Sequence, residues 1–172
     1  MRNKRGKPFN YGFTLLELLI VLVIIGVVIG AVVLSIHNSD SGQKASSAAN
    51  ILRARLLFAE QQAVVQSTTI GFAVSQQGYQ FYQLHNKLPQ MQLLWQPIKH
   101  QQTMKFQAWS GAFNISLSLP NNPNALVPNT LPESPVIVFN SGGGVTPFVL
   151  RLDSFVIRGK ATGDITIGIS DA

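Results

Sequence analysis

The 172-residue sequence contains no cysteine, and only 12% of its residues are charged. The first absence excludes disulfides, zinc-thiolate sites and thiol nucleophiles, but leaves the compartment open, because an oxidising environment permits disulfides without requiring them. The charged fraction is about half of the roughly 25% usual for a soluble domain. Acids are scarcest, with 7 Asp+Glu against 13 Lys+Arg and a formal net charge of +6. Such a balance would ordinarily raise nucleic acid or an acidic surface as a partner, yet the charge is unevenly distributed. Arg2, Lys4, Arg5 and Lys7 supply four of the six, and beyond residue 12 the chain is nearly neutral. The length permits one domain, or one domain plus an anchor, and excludes a multidomain enzyme.

Polar residues are missing from one long stretch. Between Phe13 and Ile36 only Thr14, Glu17 and Ser35 are polar, and Leu18 to Leu34 carries no polar side chain. At about 1.5 Å per residue this run and its flanking turns span the ~30 Å of a bilayer core, so a transmembrane helix is expected over residues 13–36. A cleaved secretory signal would have a shorter apolar region ending in a small-x-small site. Here the run passes into Ser35-Ile36-His37-Asn38 instead. A buried core helix would need protein on every side, more than the rest of the chain provides. Four basic residues precede the run and the next is Lys44, which places the N-terminus in the cytoplasm and everything after the helix outside.

Glu17 is the chemical anomaly of this segment. A carboxylate at membrane depth costs on the order of 2.5–3.5 kcal/mol and is by default a functional hypothesis; the bland alternative is an interfacial acid that snorkels to the headgroups. Gly26 and Gly30 form a Gly-x-x-x-Gly spacing that lets another backbone approach closely, although glycine is common in membrane helices generally.

Lys7-Pro8-Phe9-Asn10-Tyr11-Gly12 followed by Phe13-Thr14-Leu15-Leu16-Glu17 closely resembles the processing site of type IV pilins and of the pseudopilins of type II secretion. Five features coincide there at fixed spacing: a basic leader, a glycine, an aromatic residue, a glutamate fifth in the mature chain, and a long apolar helix. The resemblance implies that a prepilin peptidase removes residues 1–12 by cutting between Gly12 and Phe13, and methylates the new amino group of Phe13. It also implies that Glu17 of one subunit pairs with the terminal amine of its neighbour, which turns a desolvation cost into an assembly signal. Glu17 would stand one turn into the mature helix, at the end where the dipole favours an acid.

After the apolar run, Ser35 to Ser47 is rich in serine and includes Asp40-Ser41-Gly42, a composition that weakens helix without forbidding it, and a soft joint is expected there. Ala48, Leu52, Leu56, Ala59 and Ala63 then recur at helical spacing, predicting an amphipathic stem within residues 37–67, with Arg53, Glu60 and Gln61 off the stripe. From residue 68 the pattern turns to β. Ile70–Val74 and Tyr79–Leu84 read as a hairpin across Ser75-Gln76-Gln77-Gly78. Further strands are expected at Met104–Trp109, Ile115–Leu119, Val136–Phe139, Val145–Leu152, Ser154–Ile157 and Ile165–Ile169. Pro120 to Pro135, with five prolines and four asparagines, reads as a long exposed loop. The two tryptophans and scattered phenylalanines read as core. The expected fold is therefore α+β, a long N-terminal transmembrane and amphipathic helix packed on a C-terminal antiparallel β-sheet domain.

Signs of catalysis or ligand binding are few. Gly142-Gly143-Gly144 lacks the Lys-Ser/Thr of a phosphate loop and reads as a hairpin turn. His37, His85 and His100 are isolated in sequence, so no metal is expected, and no cofactor motif is present. The carboxylates beyond the apolar run, Asp40, Glu60, Glu133, Asp153, Asp164 and Asp171, form no obvious pair, and no nucleophile elbow exists. Arg151, Arg158 and Lys160 form either a solvated sheet face or a small patch for DNA; nucleic acid is not the expected partner.

Arg53-x-Arg55-Leu56 with Ala59-Glu60-Gln61-x-Ala63, then Pro135 to Phe139, a glycine-rich turn and Thr146 to Leu152, resembles the H-type minor pseudopilins of type II secretion. Minor pilins of type IV pilus systems, some of them DNA-binding, share much of the pattern and stand as the alternative. The narrower resemblance implies a non-enzymatic subunit, single-pass in the bacterial inner membrane with a periplasmic β-domain. Its implied partners are the other pseudopilins, major and minor, the prepilin peptidase and the inner-membrane assembly platform.

Overall fold

The computed structural model describes residues 15–87 and 92–170, with side chains described for all of these but 29–41 and 87. Among the described residues one helix, α1 (Leu15–Val65), is followed by ten strands: β1 (Ile70–Val74), β2 (Gly78–Lys87), β3 (Gln92–Pro97), β4 (Gln107–Ala108), β5 (Ile115–Leu119), β6 (Asn122–Ala125), β7 (Ile137–Phe139), β8 (Phe148–Leu152), β9 (Phe155–Gly159) and β10 (Ile165–Ile169). The chain divides into two compact units at Asp40/Ser41, inside the serine-rich stretch expected to be soft. The helical assignment itself continues through it.

The stem part of α1 is rich in alanine, the strongest helix former. Its end has a physical cause. The Thr68 N–H donates to the Ala63 carbonyl (3.0 Å) and the Ser67 N–H to that of Val64 (3.1 Å), while Ser67 takes a left-handed φ of 51°. This is a Schellman closure with serine where glycine is commoner. The seam that α1 buries consists of Ala45, Ala48, Ala49, Leu52, Leu56, Ala59 and Ala63, which includes every residue of the predicted stripe.

Against this seam stand two antiparallel five-stranded sheets. The first runs β3-β2-β1-β7, with the short β4 also paired to β2; the second runs β10-β9-β8-β5-β6. Phe72, Phe81, Ile137 and Phe139 of the first sheet and Ile115, Leu117, Leu150, Leu152 and Ile157 of the second share one buried cluster with the seam. Hydrophobic burial from three elements therefore converges on one core.

β1 is buried along its whole length, not on alternate residues. Its second face carries only Gly71 and Ala73, and a Cβ on Gly71 would lie 2.3 Å from the Pro135 ring and 2.9 Å from Trp95. The missing side chain is what lets those two residues cover the strand. On β2, the buried Gln80 amide brackets the following segment, donating to the carbonyls of Phe81 (2.7 Å), Ile98 (3.0 Å) and Met104 (3.2 Å).

Several expectations are corrected. Met104–Trp109 alternates in sequence, but only Gln107–Ala108 pairs; Met104 is instead buried in a turn closed by its own N–H on the Gln101 carbonyl (3.0 Å). The proline-rich stretch from 120 is not wholly loop, since β6 pairs with β5 across a register irregularity. Its Pro123 is tolerated because β6 is an edge strand, with one side free of ladder bonds. β3 was absent from the expected strands; it is mostly exposed and is held by its ladder to β2. The aromatic core is also narrower than expected, as Phe106 is exposed and both tryptophans are only half-buried.

Candidate functional site

The first unit presents an unusual surface. From Leu15 to Val28 every residue of α1 is exposed, and apart from Glu17 and Gly26 all of them are Leu, Ile or Val. A helix that is apolar all round belongs in hydrocarbon or inside protein, and a bare apolar surface of this extent marks an interaction site. Glu17 lies in the first helical turn, where the helix dipole favours a carboxylate. A Cβ built at Gly26 meets nothing within 4 Å, so the notch is open to a neighbouring backbone. The sequence-predicted cleavage residues Gly12 and Phe13, and the surroundings of Gly30, lie outside the described residues. Among the described residues no helix is long and apolar enough to cross a membrane; the apolar run read from sequence continues into residues whose side chains are not described.

In the second unit, several of the residues considered for chemistry have structural employment. Asp153, left-handed at φ 51° in the β8–β9 turn, accepts the Asn114 N–H at 2.8 Å. Asp164 accepts the Thr162 hydroxyl at 3.0 Å. The glycine cluster forms a turn. The Asn140 side-chain oxygen accepts the N–H groups of Gly142 (3.2 Å) and Gly144 (3.0 Å), and Gly143 adopts φ 81°. Arg151, Arg158 and Lys160 are exposed, and Arg151 donates to the Ser170 hydroxyl at 3.1 Å.

His85 and His100, far apart in sequence, line the same open hollow of about 570 Å³ with Gln83, Gln96 and Lys99. No acid joins them there. Among the described residues no three potential metal ligands cluster. The Arg53-x-Arg55 pair, used above only as part of a pattern, proves to join helix to sheets: Arg53 Nε donates to the Ile165 carbonyl of β10 at 3.1 Å, and Arg55 stacks over the Tyr79 ring of β2.

A long helix seated by an alanine-rich seam on antiparallel sheets, preceded by a bare apolar segment with one early acid, defines a pilin-like protein. Two family models match the sequence, the prokaryotic N-terminal methylation motif over residues 8–33 and the type II transport protein GspH over residues 48–171. The chain belongs to the GspH family and is a minor pseudopilin of type II secretion, a structural and non-enzymatic subunit that works among the other subunits of a pseudopilus. Its fold is similar to that of the minor pseudopilin EpsH from the type 2 secretion system of Vibrio cholerae, in two structures. One has a TM-score of 0.60 at 19% identity, covering 74% of this chain and 99% of that one. The other has a TM-score of 0.60 at 17% identity, covering 75% and 98%. The solution structure of E. coli GspH is similar at a TM-score of 0.55 and 16% identity, covering 74% and 89%. Comparison with curated proteins finds no significant sequence match.

Proposed function

We propose that the chain enters the bacterial inner membrane with its N-terminus cytoplasmic and its β-domain periplasmic, is cut by the prepilin peptidase between Gly12 and Phe13, and is methylated on the Phe13 amine. Glu17 then pairs with the amine of an adjacent subunit, and the Gly26/Gly30 notch seats a neighbouring helix. The major and minor pseudopilins are the partners in the filament, and the inner-membrane assembly platform receives the processed chain. The observation that carries this reading is the methylation motif over residues 8–33 with Glu17 in the first described helical turn. The basic leader supports the orientation. Losing it leaves an ammonium with a reference pKa of about 7.7–8.0 at the positive end of the helix dipole, a natural counter-charge for a carboxylate one turn away on a neighbour.

Intact-mass measurement of the protein extracted from peptidase-competent cells tests the first step. The expected product lacks residues 1–12 and has gained one methyl group. Retention of the leader overturns the processing step and everything built on it.

A further inference from the structure

The two arginines of the Arg53-x-Arg55 pair do different work. Arg53 is spent inside the subunit, on the Ile165 carbonyl. Arg55 lies with its guanidinium carbon 5.6 Å from the centre of the Tyr79 ring, and Tyr79 is backed by Trp109 at 4.9 Å between ring centres. The indole N–H of Trp109 is committed to the Ser75 carbonyl at 3.0 Å, which fixes this wall. Burial pushes the Tyr79 hydroxyl above its ordinary pKa, with the charge and hydrogen bond of Arg55 pulling the other way. The net shift is upward, so the phenol is neutral at physiological pH and leaves the guanidinium charge uncompensated. Nη1 of Arg55 is closed off from solvent and has no hydrogen-bond partner.

A pocket of about 110 Å³, lined in part by Arg55, opens between the stem and β4. That is a few times the ~30 Å³ of a water molecule, enough for a carboxylate and its methylenes. Among the described residues none that lines it is acidic. Ile51, one helical turn before Arg55, also lines it and is 48% exposed, so an apolar side chain frames the mouth. The pocket thus offers a rigid aromatic wall, a guanidinium with no acidic residue in the same lining, and an apolar lip.

Resting on the reading that the chain packs among other pseudopilus subunits, we propose that this pocket receives an acidic side chain of a neighbouring subunit. Its carboxylate accepts from the face of the Arg55 guanidinium that lines the pocket, and an apolar residue of the same segment lies against Ile51. Charge complementarity selects this occupant. The planar guanidinium, already oriented by Tyr79, loses little freedom on binding a carboxylate.

The test uses the full-length protein in cells that assemble the secretion machinery, with a photoreactive amino acid at position 51 and, separately, at position 21 in the apolar helix. Position 51 is expected to capture another subunit through a peptide that contains Asp or Glu. Arg55→Gln is expected to lower that yield about tenfold while capture at position 21 persists. Arg55→Glu is expected to abolish it, and a Lys in place of the captured acid to restore it, a rescue that a folding defect could not produce. Capture at 21 with none at 51 overturns the pocket alone. So does capture of an acid-free segment or of a second copy of this chain, or a yield at 51 indifferent to Arg55→Gln. Silence at both positions overturns the packing reading as well.

Discussion

Replacing Leu56 with alanine tests whether the seam holds the second unit together. Leu56 is fully buried and belongs to the cluster shared by the helix and both sheets. Its neighbours one and two turns on along the seam are Ala59 and Ala63, also fully buried, and they have no length with which to fill a hole. The cavity should therefore collapse poorly, which places the loss in the upper part of the range for buried leucines, about 4 kcal/mol. For a folded unit of this size that corresponds to a fall in Tm of about 15 °C. The control is Val65→Ala at the end of the same helix, 79% exposed, which should shift stability by less than about 0.5 kcal/mol. Denaturation of the detergent-solubilised full-length protein, followed by tryptophan fluorescence, reads both variants, since Trp95 and Trp109 lie in the β-body. A loss below about 1 kcal/mol for Leu56→Ala, or an equal loss for Val65→Ala, would refute the idea that this seam carries the docking.

Gly159 pairs with Phe148, and a Cβ there would lie 2.2 Å from the Phe148 ring; Gly159→Ala should cost about 1–3 kcal/mol by overpacking, measured in the same denaturation assay, and Phe148→Leu in that background should recover part of it. Tyr82 is pushed above its ordinary pKa first by burial and then by the Glu133 charge, and Tyr79 by burial against Arg55. Because both folded-state values are raised, the stability they contribute is complete below pH 10 and declines as pH rises beyond it; Tyr82→Phe should flatten that decline in denaturation curves taken at successive alkaline pH values. On the proposed membrane reading, Glu17→Ala removes a carboxylate that costs on the order of 2.5–3.5 kcal/mol at bilayer depth; membrane fractionation should show insertion intact, while crosslinking from position 21 to other subunits should be lost.

The parts of the fold readable from sequence are those in which burial imposes a period. The stem seam repeats every three or four residues because one helical face is covered, and β5 and β10 are recovered with the expected ends because one face of each is more enclosed than the other. Where burial is absent or two-sided, the period disappears. β3 is exposed on nearly every residue and exists through its ladder to β2, so its composition carries no strand signal. β1 shows no alternation because it is covered on both faces, yet it too has the expected ends, Ile70–Val74, and only its cover by Pro135, distant in sequence, was not legible. The Met104–Trp109 alternation misled because Met104 points into the core from a turn that Gln80 brackets from another strand. At the candidate site, Glu17 and the glycines were visible as chemical anomalies in an apolar run. The Arg55 pocket was not, since it needs Tyr79 and Trp109 brought together by pairing between β2 and β4.

The pairing of Phe72 with Ile137 has a consequence in time. The first sheet receives its last strand only after β5 and β6 of the second sheet have been made, so the two sheets are interleaved along the chain. Until residue 139 is available, the Phe72 edge of β1 stands open and the helical seam lacks part of its cover. Closing a contact so distant in sequence is also the slow step in entropic terms. A chain made from its N-terminus onward must therefore hold an unfinished domain until most of it has been synthesised, and a truncation anywhere before β7 should leave nothing that folds.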